Sequence, residues 1–150
     1  MKRPIVIGLG NPDRGDDAVG RVVAQILRSH AARRYDVVDA VGEATEILAL
    51  LEGRENAMLV DACVSGAPAG TIHQIDLQFE RAPDKDGAIS SHGIGLAQAI
   101  GLARALDILP EHCLVYAIEA GAFEPGAAMT PAVAEAANRL VDRILAQLRD

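Results

Sequence analysis

Aromatic side chains are scarce here: no tryptophan, two phenylalanines and two tyrosines make up 3% of the chain. A folded core therefore has to be packed from Val, Leu, Ile and Ala. Cys63 and Cys113 are the only cysteines, too few for a disulfide framework and in keeping with a reducing compartment. No apolar run has the length of a membrane span, and Met1-Lys2-Arg3 leads straight into a strand pattern closed by a glycine turn, unlike a signal peptide. A cytoplasmic protein that touches no membrane is expected. Positive charge is short, with 14 Lys and Arg against 21 Asp and Glu and a net charge of −7. That balance opposes a sequence-independent grip on nucleic acid, which needs clustered cations facing phosphates. Also missing are a His-Glu-x-x-His helix and a serine or cysteine in a nucleophile elbow, so the ordinary zincin, serine and cysteine hydrolase mechanisms have no support.

What is present suits a single domain over residues 1–150. A chain of this length that is 50% hydrophobic and 23% charged can bury a core without disulfides or a structural metal. No internal repeat, low-complexity tract or linker divides it. The pattern is organised around Ile5-Val6-Ile7-Gly8-Leu9-Gly10-Asn11-Pro12-Asp13-Arg14-Gly15-Asp16-Asp17-Ala18-Val19-Gly20. An apolar run gives way to a glycine and proline turn, and two adjacent carboxylates stand where a helical period begins at Ala18. A buried strand thus delivers acid to the edge of a sheet, and the constrained loop holds Asp16 or Asp17 in place.

Further elements alternate. Val19, Val22, Val23, Ile26 and Leu27 form one helical stripe. Residues 35–40 read as a second strand, Thr45 as the cap of a helix through Ile47, Leu48 and Leu51, and residues 57–63 as a third strand, apolar up to Asp61. The connection to a fourth strand, residues 71–77, carries Gly66, Pro68 and Gly70 and is too short for a parallel crossover, so that strand should run antiparallel. After a polar connection a glycine-weakened helix spans residues 94–109, stopped by Pro110, with Ser90 or Ser91 as its cap beside His92. Residues 113–118 make a fifth strand. Thr130-Pro131 then opens a last amphipathic helix through Val133, Ala137, Leu140, Val141, Ile144 and Leu148. The expectation is a three-layer α/β/α sandwich with a five-stranded mixed sheet that has one antiparallel strand.

In such sheets ligands bind beyond the carboxyl ends of the strands. Asp17 follows the first strand, Asp61 ends the third and His92 opens the helix before the fifth, so three potential metal ligands converge on one rim. Two carboxylates and an imidazole suit a borderline divalent ion such as nickel or zinc, with positions left open. A further carboxylate, Asp16 or Asp39, would serve as general base toward an attacking water; the sequence does not rank the two. Each residue alone has a plainer explanation. Asp17 is also a first-turn acid favoured by the helix dipole, Asp61 an Asx-turn former, and His92 a helix-start histidine. Only the trio makes a site. His30, His73 and His112 have no comparable setting and read as solvated or structural. Cys63, two residues beyond Asp61, would project to the same side of a strand, where a thiolate ligand is conceivable, but both cysteines read best as packed core thiols.

The opening Gly8-Leu9-Gly10-Asn11-Pro12 and Gly15-Asp16-Asp17-Ala18-Val19-Gly20 closely resemble the start of the hydrogenase maturation proteases. The likeness extends to Leu59-Val60-Asp61-Ala62, Ser91-His92-Gly93-Ile94-Gly95-Leu96, Ile118-Glu119 and Met129-Thr130-Pro131. Matched residue by residue, that family's nickel-binding acid, aspartate and histidine fall on Asp17, Asp61 and His92, which the resemblance also makes the catalytic candidates. It implies an endopeptidase that docks a nickel-iron hydrogenase large-subunit precursor, meets its nickel, and trims a C-terminal extension. Nickel would be presented by the substrate, zinc or cadmium being able to take its place, and the protease would meet its partner as a monomer. Whether the metal also polarises the scissile carbonyl stays open. Two departures stand out: many members have Glu where this chain has Asp17, and Val41-Gly42-Glu43-Ala44-Thr45 replaces a glycine-rich segment thought to select the cognate hydrogenase.

Three rivals remain in view. Peptidyl-tRNA hydrolase is similar at Gly8-Leu9-Gly10-Asn11-Pro12, but Gly15-Asp16-Asp17 replaces its Arg-His-Asn element and the acidic charge opposes a tRNA substrate. A dinucleotide fingerprint with Asp36 or Asp39 on the ribose lacks the third glycine and a helix N-terminus in place for pyrophosphate. A non-cleaving chaperone that binds nickel or the precursor would share every motif.

Overall fold

The computed structural model describes residues 2–11, 13, 15–31, 34–79, 94–122 and 124–148. Its first strand, β1 (Ile5–Leu9), is buried along its whole length, as expected of a continuous apolar run paired on both edges. A short 3-10 helix over Gly15–Ala18 leads into α1 (Val19–Ala31). Then come β2 (Asp36–Ala40), α2 (Ala44–Leu51), β3 (Asn56–Cys63), β4 (Ile72–Asp76), α3 (Ile94–Ala105), β5 (His112–Glu119) and α4 (Pro131–Leu148).

The five strands lie in the order β2-β1-β3-β5-β4. The first four are parallel, and β4 runs antiparallel to β5 at the edge, as the short connection after β3 requires. Because side chains alternate across a strand, the odd-numbered Ile5, Ile7, Leu9, Leu59, Cys113 and Val115 pack with Ile47, Leu51, Ala99 and Ile100 of α2 and α3. The even-numbered Val6, Val60, Ala62, Tyr116 and Ile118 face Val19, Val23, Leu27, Leu140 and Ile144 of α1 and α4. The result is the expected three-layer sandwich. Among the described residues, Tyr116 is the largest fully buried side chain. Its hydroxyl donates to Gln147 Oε1 at 3.0 Å, and burial raises its pKa.

An aliphatic core leaves the helices free to come close. Gly8 and Gly20 face each other where α1 crosses β1: a Cβ on Gly20 would stand 2.3 Å from the carbonyl oxygens of both Leu9 and Val60. No larger residue fits without lifting the helix.

Local details differ from expectation at three places. Glu43, not Thr45, occupies the N-cap of α2 and makes no side-chain cap bond; Glu46 instead accepts the N–H of Val41 at 3.0 Å. Helix α3 ends at Ala105, ahead of Pro110, because Asp107 turns left-handed at φ 57°. Thr130 precedes α4, but its hydroxyl is bound by Asp16. The predicted cap at Ser90 or Ser91 lies outside the described residues. No described helix is long and apolar enough to cross a membrane.

Candidate active site

Beyond the end of β1 the chain folds tightly back on itself. Gly10 sits at φ 147°, and a Cβ there would lie 2.1 Å from the carbonyl oxygen of Asp17, so glycine is required for the loop to close. Asn11 Oδ1 accepts the N–H of Asp13 at 2.9 Å, an Asx turn. Its own N–H points at Asp17 Oδ2, 3.3 Å away. Arg21 Nη1 donates to the carbonyl of Gly10 at 3.3 Å. Asp17 is thereby fixed at the rim and is 2% exposed.

Asp61 lies inside β3 rather than at its end, because the strand continues to Cys63. It is fully buried, opposite Ala117 of β5, and its Oδ1 accepts the N–H of Ala62 at 2.8 Å. The two acids belong to one locale: the first turn of α1 rests on Leu9 and Val60 through Gly20. Asp17 precedes that glycine by three residues, and Asp61 follows Val60 directly. The third residue of the predicted trio, His92, lies outside the described residues.

Asp16 and Asp39, the alternative bases, are engaged elsewhere. Asp16 is fully buried and holds the β5–α4 loop: Oδ2 accepts the N–H groups of Gly121 at 2.7 Å and Ala122 at 2.9 Å. Oδ1 accepts the N–H of Thr130 at 2.7 Å, and the Thr130 hydroxyl lies against both oxygens. Asp39 pairs with Arg28 at 3.2 Å and Arg21 at 3.7 Å on a half-exposed surface. Asp36, the ribose candidate, pairs with Arg54 at 2.8 Å.

Among the described residues, the buried charged side chains are Asp16, Asp17, Asp61 and Glu119, all acids: Glu119 ends β5, Asp61 lies two residues before the end of β3, and Asp16 and Asp17 lie in the 3-10 helix that follows β1. Removing carboxylates from water is costly unless hydrogen bonds or cations compensate. The rim therefore concentrates negative field in a region of low dielectric. A cleft at the opposite, amino-terminal end of the sheet, between Pro4, Asn56, His112 and Gln147, is lined by no acid.

Glu119 was visible in the sequence only as part of a strand-end motif, although it carries the same signal as Asp61: an acid closing an apolar strand. Ser65 donates to it through its N–H at 2.8 Å and through its hydroxyl. His73 Nε2 lies 3.1 Å from Oε1 and Cys63 Sγ 3.6 Å. His73 is thus tied to a carboxylate rather than simply solvated. Cys63 is fully buried, as a packed thiol should be, and burial together with Glu119 raises its pKa. Burial at the other end of β5 likewise pushes the Cys113 thiol up to about 12. Burial alone would raise the Glu119 pKa, but hydrogen bonds from Ser65, His73 and Cys63 outweigh it and hold the carboxyl below its ordinary value.

A group depressed in the folded state stabilises above its unfolded pKa, and that contribution fades as pH falls through the folded value. The stability gap between the unaltered protein and Glu119→Gln is therefore expected to be widest near neutrality and to close as acid is added below pH of about 4. Urea midpoints measured across that range check it; a gap independent of pH would contradict the assignment.

The chain matches the family model described as hydrogenase maturation protease over residues 20–147. It is 27% identical to the Hydrogenase 2 maturation protease of Escherichia coli (strain K12), across 99% of this chain and 92% of that protein. Among solved structures, the hydrogenase maturating endopeptidase HybD from E. coli superposes with a TM-score of 0.81 at 24% identity, covering 99% of this chain and 93% of that one. The HybD [NiFe] hydrogenase maturation protease from Thermococcus kodakarensis gives 0.77 at 21%, covering 99% and 100%. The five-stranded mixed sheet is thus a shared fold, the family match spans most of the sequence, and the chain belongs to the hydrogenase maturation protease family, as a peptide-bond hydrolase.

Proposed function

We propose that this protein acts in the cytoplasm as an endopeptidase on a nickel-iron hydrogenase large-subunit precursor, recognising the nickel that the precursor carries and removing its C-terminal extension. The observation that supports the reading is that Asp17 and Asp61 are both buried carboxylates, on segments that flank the close approach of Gly20 to Leu9 and Val60. Oxygen donors of this kind, with the imidazole of His92 as the third member expected from the sequence, would form a mixed set suited to a borderline divalent ion. The ion arrives as part of the substrate, so the protein's residues need to supply only some of its ligands. Peptide hydrolysis also needs a water activated next to the scissile carbonyl, and Asp17 or Asp61 would act as its base. The same set would let the protease sense whether nickel has been loaded before it cuts.

The test is to incubate the protein with nickel-loaded and nickel-free precursor and to weigh the precursor by mass spectrometry. Loss of a C-terminal peptide from the loaded form alone is expected, and Asp61→Asn should reduce that processing by about 100-fold or more with an unchanged circular dichroism spectrum. Cleavage regardless of nickel would remove the sensing role. Tight binding of loaded precursor without any cleavage would favour the chaperone reading instead.

A further inference from the structure

Cys63, His73 and Glu119 come from three neighbouring strands and turn the same way. Cys63 of β3 and Glu119 of β5 are register partners. His73 of β4 pairs with Ala117, two residues before Glu119 and therefore on the same face of the sheet. One ligand atom from each, Sγ, Nε2 and a carboxylate oxygen, lies within 4.8 Å of the other two. We propose that these three residues form a second cation site, for a borderline divalent transition metal of the zinc type, separate from Asp17 and Asp61.

The distances already present carry the proposal. A tetrahedral zinc with bonds of about 2.3 Å to sulfur and about 2.0 to 2.2 Å to nitrogen and oxygen has S···O and N···O edges of roughly 3.6 and 3.4 Å. The corresponding separations here are 3.6 Å for Cys63 Sγ to Glu119 Oε1 and 3.1 Å for His73 Nε2 to the same oxygen. These two edges need shifts of only a few tenths of an ångström, and the third, from Cys63 Sγ to His73 Nε2, is within 4.8 Å and closes by rotation of the half-exposed imidazole. Sulfur, imidazole and carboxylate together select zinc, cobalt or nickel over calcium or magnesium, which prefer oxygen alone.

The surroundings resemble those of a built site. Cys63 and Glu119 are at most 1% exposed, whereas the His73 side chain, on the edge strand, is 29% exposed and gives a route in. Ser65 holds both carboxylate oxygens of Glu119, Oε2 through its N–H and Oε1 through its hydroxyl, so Oε1 faces Cys63 and His73 with its carboxylate fixed from outside, as by an orienting partner. Three protein ligands leave a fourth position for water or an incoming group. On binding, the Cys63 S–H bond breaks and its proton leaves to solvent. The Nε2–H bond of His73, which donates to Glu119, breaks as well and its proton leaves to solvent; the ring, protonated on Nδ1, then gives the Nε2 lone pair, and the hydrogen bonds from Cys63 and His73 to Glu119 are replaced by metal bonds to sulfur, nitrogen and oxygen. Those lost hydrogen bonds are a cost, so affinity should be lower than in a closed four-ligand structural site.

The proposal is independent of the precursor reading, and a spectroscopic experiment separates them. Cobalt(II) chloride is titrated into the full-length, reduced protein while the thiolate-to-cobalt charge-transfer absorption is followed in the near ultraviolet. Asp17, Asp61 and His92 contain no sulfur and cannot produce this band. The expected result is a band that saturates at one equivalent and is bleached by added zinc. It should vanish in Cys63→Ser, persist in Cys113→Ser and Asp17→Asn, and require about 10-fold or more cobalt in His73→Ala. Ser65→Ala should weaken binding by about 10- to 100-fold, as loss of an orienting partner does. His73 and Ser65 are solvent-reachable, so these two variants keep the test open if Glu119→Gln or Cys63→Ser fails to fold. No thiolate band in the unaltered protein, a band that survives in Cys63→Ser, a band lost in Asp17→Asn, or an affinity indifferent to His73→Ala would each overturn the proposal.

Discussion

Asp16→Ala is expected to lower the unfolding free energy by about 4 kcal/mol and the melting temperature by on the order of 10 °C. The carboxylate is buried and takes the N–H groups of Gly121, Ala122 and Thr130 together with the Thr130 hydroxyl. Alanine would leave three backbone donors unsatisfied, each worth about 1 to 3 kcal/mol when water cannot replace the lost partner. Partial collapse and water entry return some of that loss, which sets the net figure near the upper end of single-substitution effects. Asp16→Asn keeps one acceptor oxygen but turns an amide toward donors, and should cost about half as much. Urea unfolding followed by circular dichroism is the suitable readout in a chain without tryptophan. An Asp16→Ala protein as stable as its parent would show that the loop is held by something else.

Gly20→Ala is the second large effect. A methyl group there meets two backbone oxygens, of Leu9 and Val60, at 2.3 Å, and main-chain atoms of a central sheet cannot move aside as a flexible side chain would. The helix has to lift instead, at a cost of about 3 kcal/mol. Because Asp17 rides on the turn leading into that helix, the same change should also impair precursor processing. Gly101→Ala is the matched control: it lies in α3 with nothing within 4 Å of the added carbon, and should stabilise by about 0.5 to 1 kcal/mol through helix propensity alone. Equal stabilities for the two alanine variants would refute the close-approach account.

The layers of this molecule were readable because aliphatic strands and helical stripes are local patterns, and the reversal of β4 was readable because the short connection between Cys63 and Ile72 cannot cross over a sheet. Asp17 and Asp61 stood out for a similar reason, as acids at the ends of apolar segments. Distinguishing Asp16 from Asp17 was beyond the sequence: consecutive side chains on a 3-10 turn diverge by about 120°. Which one meets the β5–α4 loop depends on residues more than 100 positions away. His73 escaped notice on the same ground, its carboxylate partner lying 46 residues further along the chain. The left-handed Asp107 that ends α3 early carries no signal as strong as the proline that follows it.

Because β4 runs against its neighbours, it meets the acidic rim with its beginning, where the other four strands meet it with their ends. The placement of His73 is consequently governed by the turn that precedes the strand, closed by the bond from Gly70 N–H to Glu119 O at 2.8 Å. A residue inserted into that turn would slip the pairing and send the imidazole through to the opposite layer, whereas an insertion after Asp76 would pass unnoticed at the rim. Length variation among natural relatives should thus be tolerated on one side of this strand and purged on the other.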